Sequence, residues 1–136
     1  MTDIFLDTDI ILDFLGDRKP FSKFAARIFA EAHQGHYRLY TSGNSMTIAY
    51  YIVCKSIDDK KARALISGLL DYLKIIPVTE KILRNALHSD FKDFEDAVQV
   101  QSALTEDKIK FIVTRNLRDY KKSQIKAIGP EELFAN

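Results

Sequence analysis

The fold of this chain is decided by the stretch Ile4-Phe5-Leu6-Asp7-Thr8-Asp9, close to its start. The first three residues form a short apolar run, which is typical of a buried strand. Two carboxylates follow at once, at Asp7 and Asp9. Because an unpaired buried charge costs several kcal/mol, we expect a cation or a ligand at this point. Open α/β sheets bind ligands at the carboxyl ends of their strands. We therefore place the centre of the candidate site at Asp7.

The size and composition of the chain indicate one small domain spanning residues 1–136. With 20 Lys and Arg against 19 acids, the net charge of +1 excludes a uniformly basic nucleic-acid coat protein. Cys54 is the one cysteine, so no internal disulfide forms and a reducing cytoplasm is expected. The chain has no apolar run of the ~20 residues that a membrane span needs, and no basic N-terminal signal.

Short apolar strands alternate with amphipathic helices along the rest of the chain. Further strands are expected at Tyr37–Thr41, Ile75–Val78, Phe111–Val113 and Ala127–Ile128. Helices are expected to begin at Pro20, Ser42, Asp58, Thr79, Asp93 and Pro130, which suit first turns or N-caps. The helical spacing predicts that Leu65, Leu70, Leu83 and Leu87 are buried. This alternation predicts a parallel sheet of about five strands in a three-layer α/β/α sandwich.

Later segments bring further polar residues to the edge of the sheet where Asp7 lies. They are Glu95 and Asp96 from the start of one helix, and Thr114, Asn116 and Asp119 after one strand. Carboxylates that converge without Cys or paired His are the ligand set of Mg²⁺ or Mn²⁺, not of zinc. The sequence therefore predicts a site for one of these two ions.

Each of these residues also has a simpler structural interpretation. Asp96, three residues after Asp93, fits a helix start where acids favour the helix dipole. Asp119 fits a surface acid paired with a nearby cation. Asp9 fits a cap of the short helix that follows it, and Asn116 fits a turn residue. Asp7 has the weakest such alternative, because apolar residues flank the acidic stretch on both sides.

Basic residues are concentrated around Asn116. They are Arg115, Arg118, Lys121, Lys122 and Lys126. Such a run is usually a solvated face. Beside an acidic metal site, it is also where a phosphate backbone would be held.

Taken together, these segments resemble the PIN domain family, which includes the ribonuclease toxins of bacterial toxin–antitoxin pairs. The likeness covers nearly the whole chain and rests on Phe5–Asp9, Phe94–Ala97, Val113–Asn116 and Asp119–Tyr120. It implies a five-stranded parallel sheet between helices and Mg²⁺- or Mn²⁺-dependent phosphodiester hydrolysis, usually of RNA. It also implies a small antitoxin partner and favours a homodimer.

The resemblance assigns roles to individual residues. Asp7, Asp96 and Asp119 match the metal-binding acids, and Asn116 matches a position that is Asp or Asn in the family. Thr8 and Thr114 would be hydrogen-bonding supports near the substrate, and Arg115 and Arg118 would hold its backbone. The expected function is a metal-dependent endoribonuclease toxin.

One position departs from the family pattern. A Glu is usual in the helix after the second strand, and here that position is Ile48. An isoleucine binds no metal, so metal affinity is expected to fall, and a two-metal mechanism becomes doubtful. Glu95 and Asp9 are the available substitutes. The alternative function is a catalytically weakened module of the same fold that binds RNA or a protein.

A third interpretation is a phosphatase of the haloacid dehalogenase type. Asp7-Thr8-Asp9 is similar to its Asp-x-Asp motif. The glycine expected after that motif is missing, and the chain is short for that fold.

Overall fold

The computed structural model describes residues 1–135, and Asn136, the last residue of the expected domain, lies outside the described part. The strands are β1 (Thr2–Leu6), β2 (Tyr37–Ser42), β3 (Leu73–Ile76), β4 (Ile109–Val113) and β5 (Ala127–Ile128). The helices are α1 (Thr8–Leu15), α2 (Ser22–His33), α3 (Gly43–Val53), α4 (Asp59–Leu69), α5 (Glu80–Leu87), α6 (Phe94–Ala103) and α7 (Pro130–Leu133). A short 3₁₀ helix, Leu117–Tyr120, follows β4. Within residues 1–135, no helix combines the length and apolar character needed to cross a membrane.

The five strands form one parallel sheet in the order β3-β2-β1-β4-β5. The first strand of the chain is therefore the central one. Ile4 lies opposite Leu39 on one side and Phe111 on the other. The predicted parallel sheet and the α/β fold class are confirmed.

The central strand is buried on both faces. Ile4 and Leu6 pack into the core on the side of α1, α2 and α3. Phe5 points to the other side, where it packs with Val100 and Ala103 of α6. Burying a side chain of this size contributes about 1.5–3 kcal/mol, so β1 anchors both layers of helices.

Helix starts agree with the capping residues in the sequence. The N-caps of α3, α4, α5 and α6 are Ser42, Asp58, Thr79 and Asp93. Each side chain accepts a hydrogen bond from the backbone N–H three residues later, which satisfies a donor that the helix leaves free.

Three details of the prediction are wrong. Helix α2 begins at Ser22, two residues after Pro20. Strand β3 begins at Leu73, two residues before the expected Ile75, and it ends at Ile76 because Pro77 has no N–H for the ladder. The helical spacing also overestimates burial, since Leu70 and Leu87 are 50% and 68% exposed. Leu65 and Leu83 are exposed as well.

Candidate active site

A cavity of about 140 Å³ lies at the carboxyl edge of the sheet, and we call it the acid cavity. Its lining residues are Asp7, Thr8, Asp9, Asn44, Ile48, Glu95, Asp96, Gln99 and Asn116. They come from the ends of β1 and β4 and the starts of α1, α3 and α6. The structure thus places most of the predicted site residues around one small space, although they are up to about a hundred positions apart in the sequence.

A second cavity, of about 360 Å³, adjoins the acid cavity. We call it the basic cavity after four of its lining residues, Lys92, Arg118, Lys121 and Lys122, although four aspartates line it as well, Asp90, Asp93, Asp96 and Asp119. Asp96 lines both, whereas Asp119 and Arg118 line the basic cavity alone. The charge of Asp119 is nevertheless close enough to raise the pKa of Asp96. Lys121 and Lys122 also line the basic cavity.

Asp7 is buried, with 6% of its surface exposed, and three elements hold its carboxylate. It is the N-cap of α1 and accepts from the N–H of Thr8 at 2.8 Å. The Thr114 hydroxyl, at the end of β4, donates to its second oxygen at 2.8 Å. The amide of Gln99 on α6 donates at 3.2 Å. Asp7 is therefore fixed at the junction of β1, β4 and α6.

Asp9 carries the clearest sign of a missing partner. The N–H of Arg115 donates to its Oδ2 at 3.0 Å, so Asp9 ties α1 to the end of β4. Asp7, not Asp9, caps α1. The Oδ1 atom of Asp9 is buried without a hydrogen-bond partner among residues 1–135. Burial and the charge of Asp7 raise the pKa of Asp9 to about 7.

Asp96 is more than a helix-start residue. Asp93 provides the N-cap and accepts from the N–H of Asp96 at 3.1 Å. The half-buried Asp96 carboxylate accepts a long hydrogen bond, 3.4 Å, from the hydroxyl of the buried Tyr120. Burial first, then the charges of Asp93, Asp7 and Asp119, raise the pKa of Asp96 to about 7. Burial and neighbouring negative charge therefore make the charged forms of Asp9 and Asp96 less favourable than those of ordinary carboxyl groups.

We expect Asp9→Asn to stabilise the metal-free protein above pH 7. The folded-state pKa of Asp9 is about 7, whereas the ordinary value is 3.8. Between these two pH values, the folded protein therefore binds more protons than the unfolded chain. The free energy of unfolding contributed by this group therefore falls as the pH rises towards 7. The variant should gain about 1–2 kcal/mol at about pH 8 and much less at about pH 5. Urea unfolding in EDTA measures this, and a gain equal at both pH values would contradict it.

Gln99 joins a buried polar network that the sequence analysis missed. Its side chain is 3% exposed. Its amide nitrogen donates to Ser45 Oγ at 2.7 Å and to Thr8 Oγ1 at 3.3 Å, besides Asp7. Its oxygen accepts from Ser42 at 2.5 Å. Its position was a usable signal, because it lies three residues after Asp96 among the buried residues of α6.

Replacing Gln99 with Leu should lower the free energy of unfolding by about 2 kcal/mol. Leucine is similar in size, so the loss comes from the hydroxyl of Ser42 and the carboxylate of Asp7 losing a buried partner. Chemical denaturation measures the change. Gln101→Leu, at a half-buried position two residues along the same helix, is the matched control. Equal stability of the two variants would show that the network contributes nothing.

Arg115 forms a buried ion pair with Asp13, another residue that was not singled out. Arg115 Nε donates to Asp13 Oδ2 at 2.6 Å, and Arg115 Nη2 donates to Asp13 Oδ1 at 2.9 Å. Asp13 is 1% exposed. The guanidinium also lies over the ring of Phe21, 3.8 Å from its centre. The charged group of Arg115 is thus already engaged by the protein.

The donor set of the acid cavity fits a hard divalent cation. The carboxylates of Asp7, Asp9 and Asp96 offer only oxygen, and Asp9 Oδ1 is a buried acceptor without a partner. Within residues 1–135, no three His, Cys, Asp or Glu side chains form a ready-made metal cluster. That arrangement still fits Mg²⁺, which is commonly held by one or two carboxylates and keeps several waters.

Known proteins share both the sequence pattern and the fold. The family model described as PIN domain matches residues 3–118. Ribonuclease VapC1 of Aquifex aeolicus (strain VF5) is 30% identical over 101 residues, which are 71% of this chain and 69% of that relative. This match removes the phosphatase alternative.

Solved structures of low sequence identity share the fold. VapBC2 from Rickettsia felis, bound to a DNA fragment from its promoter, has a TM-score of 0.69 at 18% identity, covering 94% of this chain and 98% of that one. A toxin–antitoxin complex from Klebsiella pneumoniae has a TM-score of 0.69 at 17% identity, and the match covers 93% of this chain and 97% of that one. VapC20 of Mycobacterium tuberculosis, a sarcin–ricin loop cleaving toxin, has a TM-score of 0.62 at 16% identity, and the match covers 80% of this chain and 86% of that one. With a family model matched over most of its length and a ribonuclease relative at 30% identity, the chain belongs to the PIN domain family.

Proposed function

We propose that this chain is a Mg²⁺- or Mn²⁺-dependent endoribonuclease and the toxin of a toxin–antitoxin pair. The observation that carries the proposal is the acid cavity, where Asp7, Asp9 and Asp96 lie at the carboxyl edge of the sheet. The relative VapC1 is named a ribonuclease, and VapC20 is named a toxin that cleaves the sarcin–ricin loop. Family membership supports the same chemistry for this chain.

The side chains divide the work of hydrolysis. Asp7, Asp96 and Asp119 would hold the cation, with Asp9 and Glu95 as further acidic groups within reach of the cavity. When bound, Mg²⁺ or Mn²⁺ activates water and stabilises negative charge on the scissile phosphate. Asn116 orients the attacking water or a substrate oxygen. Thr8 and Thr114 position Asp7 and its surroundings through hydrogen bonds.

Three cations of the basic cavity are candidates for holding the phosphates of the substrate. Arg118, Lys121 and Lys122 line the cavity next to Asp96. Cations in this place attract the RNA backbone to the acidic groups. Because the guanidinium of Arg115 is bound to Asp13, we propose Arg118 as the arginine that holds a phosphate and Arg115 as a structural support.

A cleavage assay tests the proposed function. The purified chain is incubated with structured RNA in Mn²⁺, in Mg²⁺ and in EDTA. We expect discrete products with either ion and none in EDTA. Products that also form in EDTA, or intact RNA under every condition, would contradict the proposal.

We further propose a small antitoxin protein as partner, within a reducing cytoplasm where Cys54 stays free. A groove of about 500 Å³ between α3 and α4 is lined mainly by apolar side chains, among them Met46, Tyr51, Ile66 and Leu70. Tyr51 is 66% exposed, which favours a covering partner. The neighbours from Rickettsia felis and Klebsiella pneumoniae are toxin–antitoxin complexes. Co-expression with the adjacent reading frame tests this pairing, and light scattering tests the homodimer that the family favours.

Ile48 supports the alternative of a weakened enzyme. Ile48 lines the acid cavity together with Asp7 and Asp96. The position where the family resemblance leads us to expect a Glu therefore carries a side chain that binds no metal. We expect Ile48→Glu to raise Mn²⁺ affinity about tenfold, because it adds a further carboxylate to the cation site. Isothermal titration measures the affinity.

The matched control is Ile48→Gln, which has the same length as Glu without its charge. We expect this variant to bind Mn²⁺ as the wild type does. Equal affinities for the Glu and Gln variants would show that position 48 does not face the cation. Detectable RNA binding with no cleavage by the wild type, together with cleavage by Ile48→Glu, would establish the weakened module.

A further inference from the structure

A third cavity, of about 410 Å³, adjoins the acid cavity, and we call it the apolar cavity. It lies between the starts of α3 and α6 and the helix α5. It shares Asn44 and Glu95 with the acid cavity and no lining residue with the basic cavity. The acid cavity therefore has a neighbour on each side, the basic cavity across Asp96 and the apolar cavity across Asn44 and Glu95.

The lining of the apolar cavity does not suit a phosphate. None of the described residues that line it is Lys, Arg or His. Its walls include the side chains of Phe94, Leu83 and Val98. Phe94 is 45% exposed at the first position of α6, two residues before Asp96. Nearly half of the surface of this large aromatic residue is therefore free to contact a ligand.

We propose that the apolar cavity binds one unstacked nucleobase of single-stranded RNA, with Phe94 as its stacking surface. The proposal rests on the proposed nuclease function and specifies its substrate. A polynucleotide carries a flat, neutral base beside each charged phosphate, and here a cavity with partly apolar walls adjoins the acid cavity, where the scissile phosphate would lie in the proposed function. A strand whose phosphates lie along the basic and acid cavities would place the next base against Phe94.

The polar groups at the rim indicate which bases are preferred. Asn44 and Glu95 lie where the apolar and acid cavities meet. A carboxylate accepts hydrogen bonds and cannot donate them, so Glu95 favours the exocyclic amino groups of cytosine, adenine and guanine over the N3–H of uracil, which two carbonyl oxygens flank. We therefore expect cytosine, adenine or guanine to be preferred over uracil at this subsite.

A double-mutant cycle between protein and RNA tests the subsite. A short, fluorescently labelled single-stranded RNA is titrated with the protein in EDTA, and one base at a time is replaced by an abasic unit. All proteins carry Asp7→Asn, which prevents cleavage and removes one repelling charge. Phe94 is then changed to Ala, with Phe94→Tyr as the matched control that keeps an aromatic ring.

We expect one abasic position to weaken binding by about tenfold when Phe94 is present, and to have no further effect when it is Ala. Phe94→Tyr should bind like the parent. Additive losses at every position, or unchanged affinity in Phe94→Ala, would overturn the proposal. The proposal would also be overturned if Phe94→Ala changed the oligomeric state and showed no coupling to any base. That result would mean that the apolar cavity binds a protein partner. Binding is measured without cleavage, so this test is independent of the cleavage assay. If Phe94 is coupled to one base but the wild-type protein cuts no RNA, the nuclease function is refuted and the base subsite is not.

Discussion

Asp7→Asn is expected to lower the rate of RNA cleavage at least about 100-fold in Mn²⁺. Asp7 is the buried acid at the centre of the acid cavity, and Asn removes the negative charge that would hold the cation. A hundredfold loss corresponds to about 2.7 kcal/mol of transition-state stabilisation, a modest share of what a metal ion supplies. Cleavage kinetics on a single RNA substrate measure the loss.

The variant should remain folded. An Asn oxygen still accepts from the N–H of Thr8 and from Gln99, and its amide can donate to the hydroxyl of Thr114. Asp3→Asn is the matched control, because Asp3 lies near the opposite end of β1, where Tyr40 donates to its carboxylate. We expect this control to cleave RNA normally. Equal activity of the two variants would mean that the cleavage does not arise in the acid cavity.

Arg115→Met is expected to lower the free energy of unfolding by about 3–5 kcal/mol. The change leaves the buried Asp13 carboxylate without its two hydrogen bonds, and an unpaired buried charge carries a cost of this size. It also removes the cation from the ring of Phe21. A fall of about 10–17 °C in the melting temperature should accompany the loss.

The double variant Asp13→Leu with Arg115→Met separates a lost ion pair from lost packing. Since apolar replacements of a whole buried pair are often neutral or stabilising, the double variant should recover most of the lost stability. A double variant as unstable as Arg115→Met alone would assign the effect to packing. A single variant as stable as the wild type would show that the ion pair does not contribute to stability.

The sequence was sufficient for the features that depend on local pattern. Asp7 was identifiable because apolar residues flank it on both sides, so its carboxylate had to meet something other than solvent. The caps at Ser42, Asp58, Thr79 and Asp93 were identifiable because a side-chain acceptor at a helix start satisfies a free N–H. The parallel sheet followed from short apolar strands separated by helices.

Features that depend on partners distant in the sequence were not predictable in the same way. Gln99 and Asp13 look like ordinary polar residues on helices until the fold brings Asp7 and Arg115 to them. The exposure of Leu70 and Leu87 also escaped the pattern, because helical spacing identifies an apolar face without showing what covers it.

The central claim is that a divalent cation binds between Asp7 and Asp96. The most direct measurement is the anomalous scattering of crystals soaked in Mn²⁺, for the wild type and for Asp7→Asn. We predict an anomalous peak in the acid cavity of the wild type, within bonding distance of both carboxylates, and none in the variant. Wild-type crystals without a peak there, or a peak that survives in Asp7→Asn, would contradict the account.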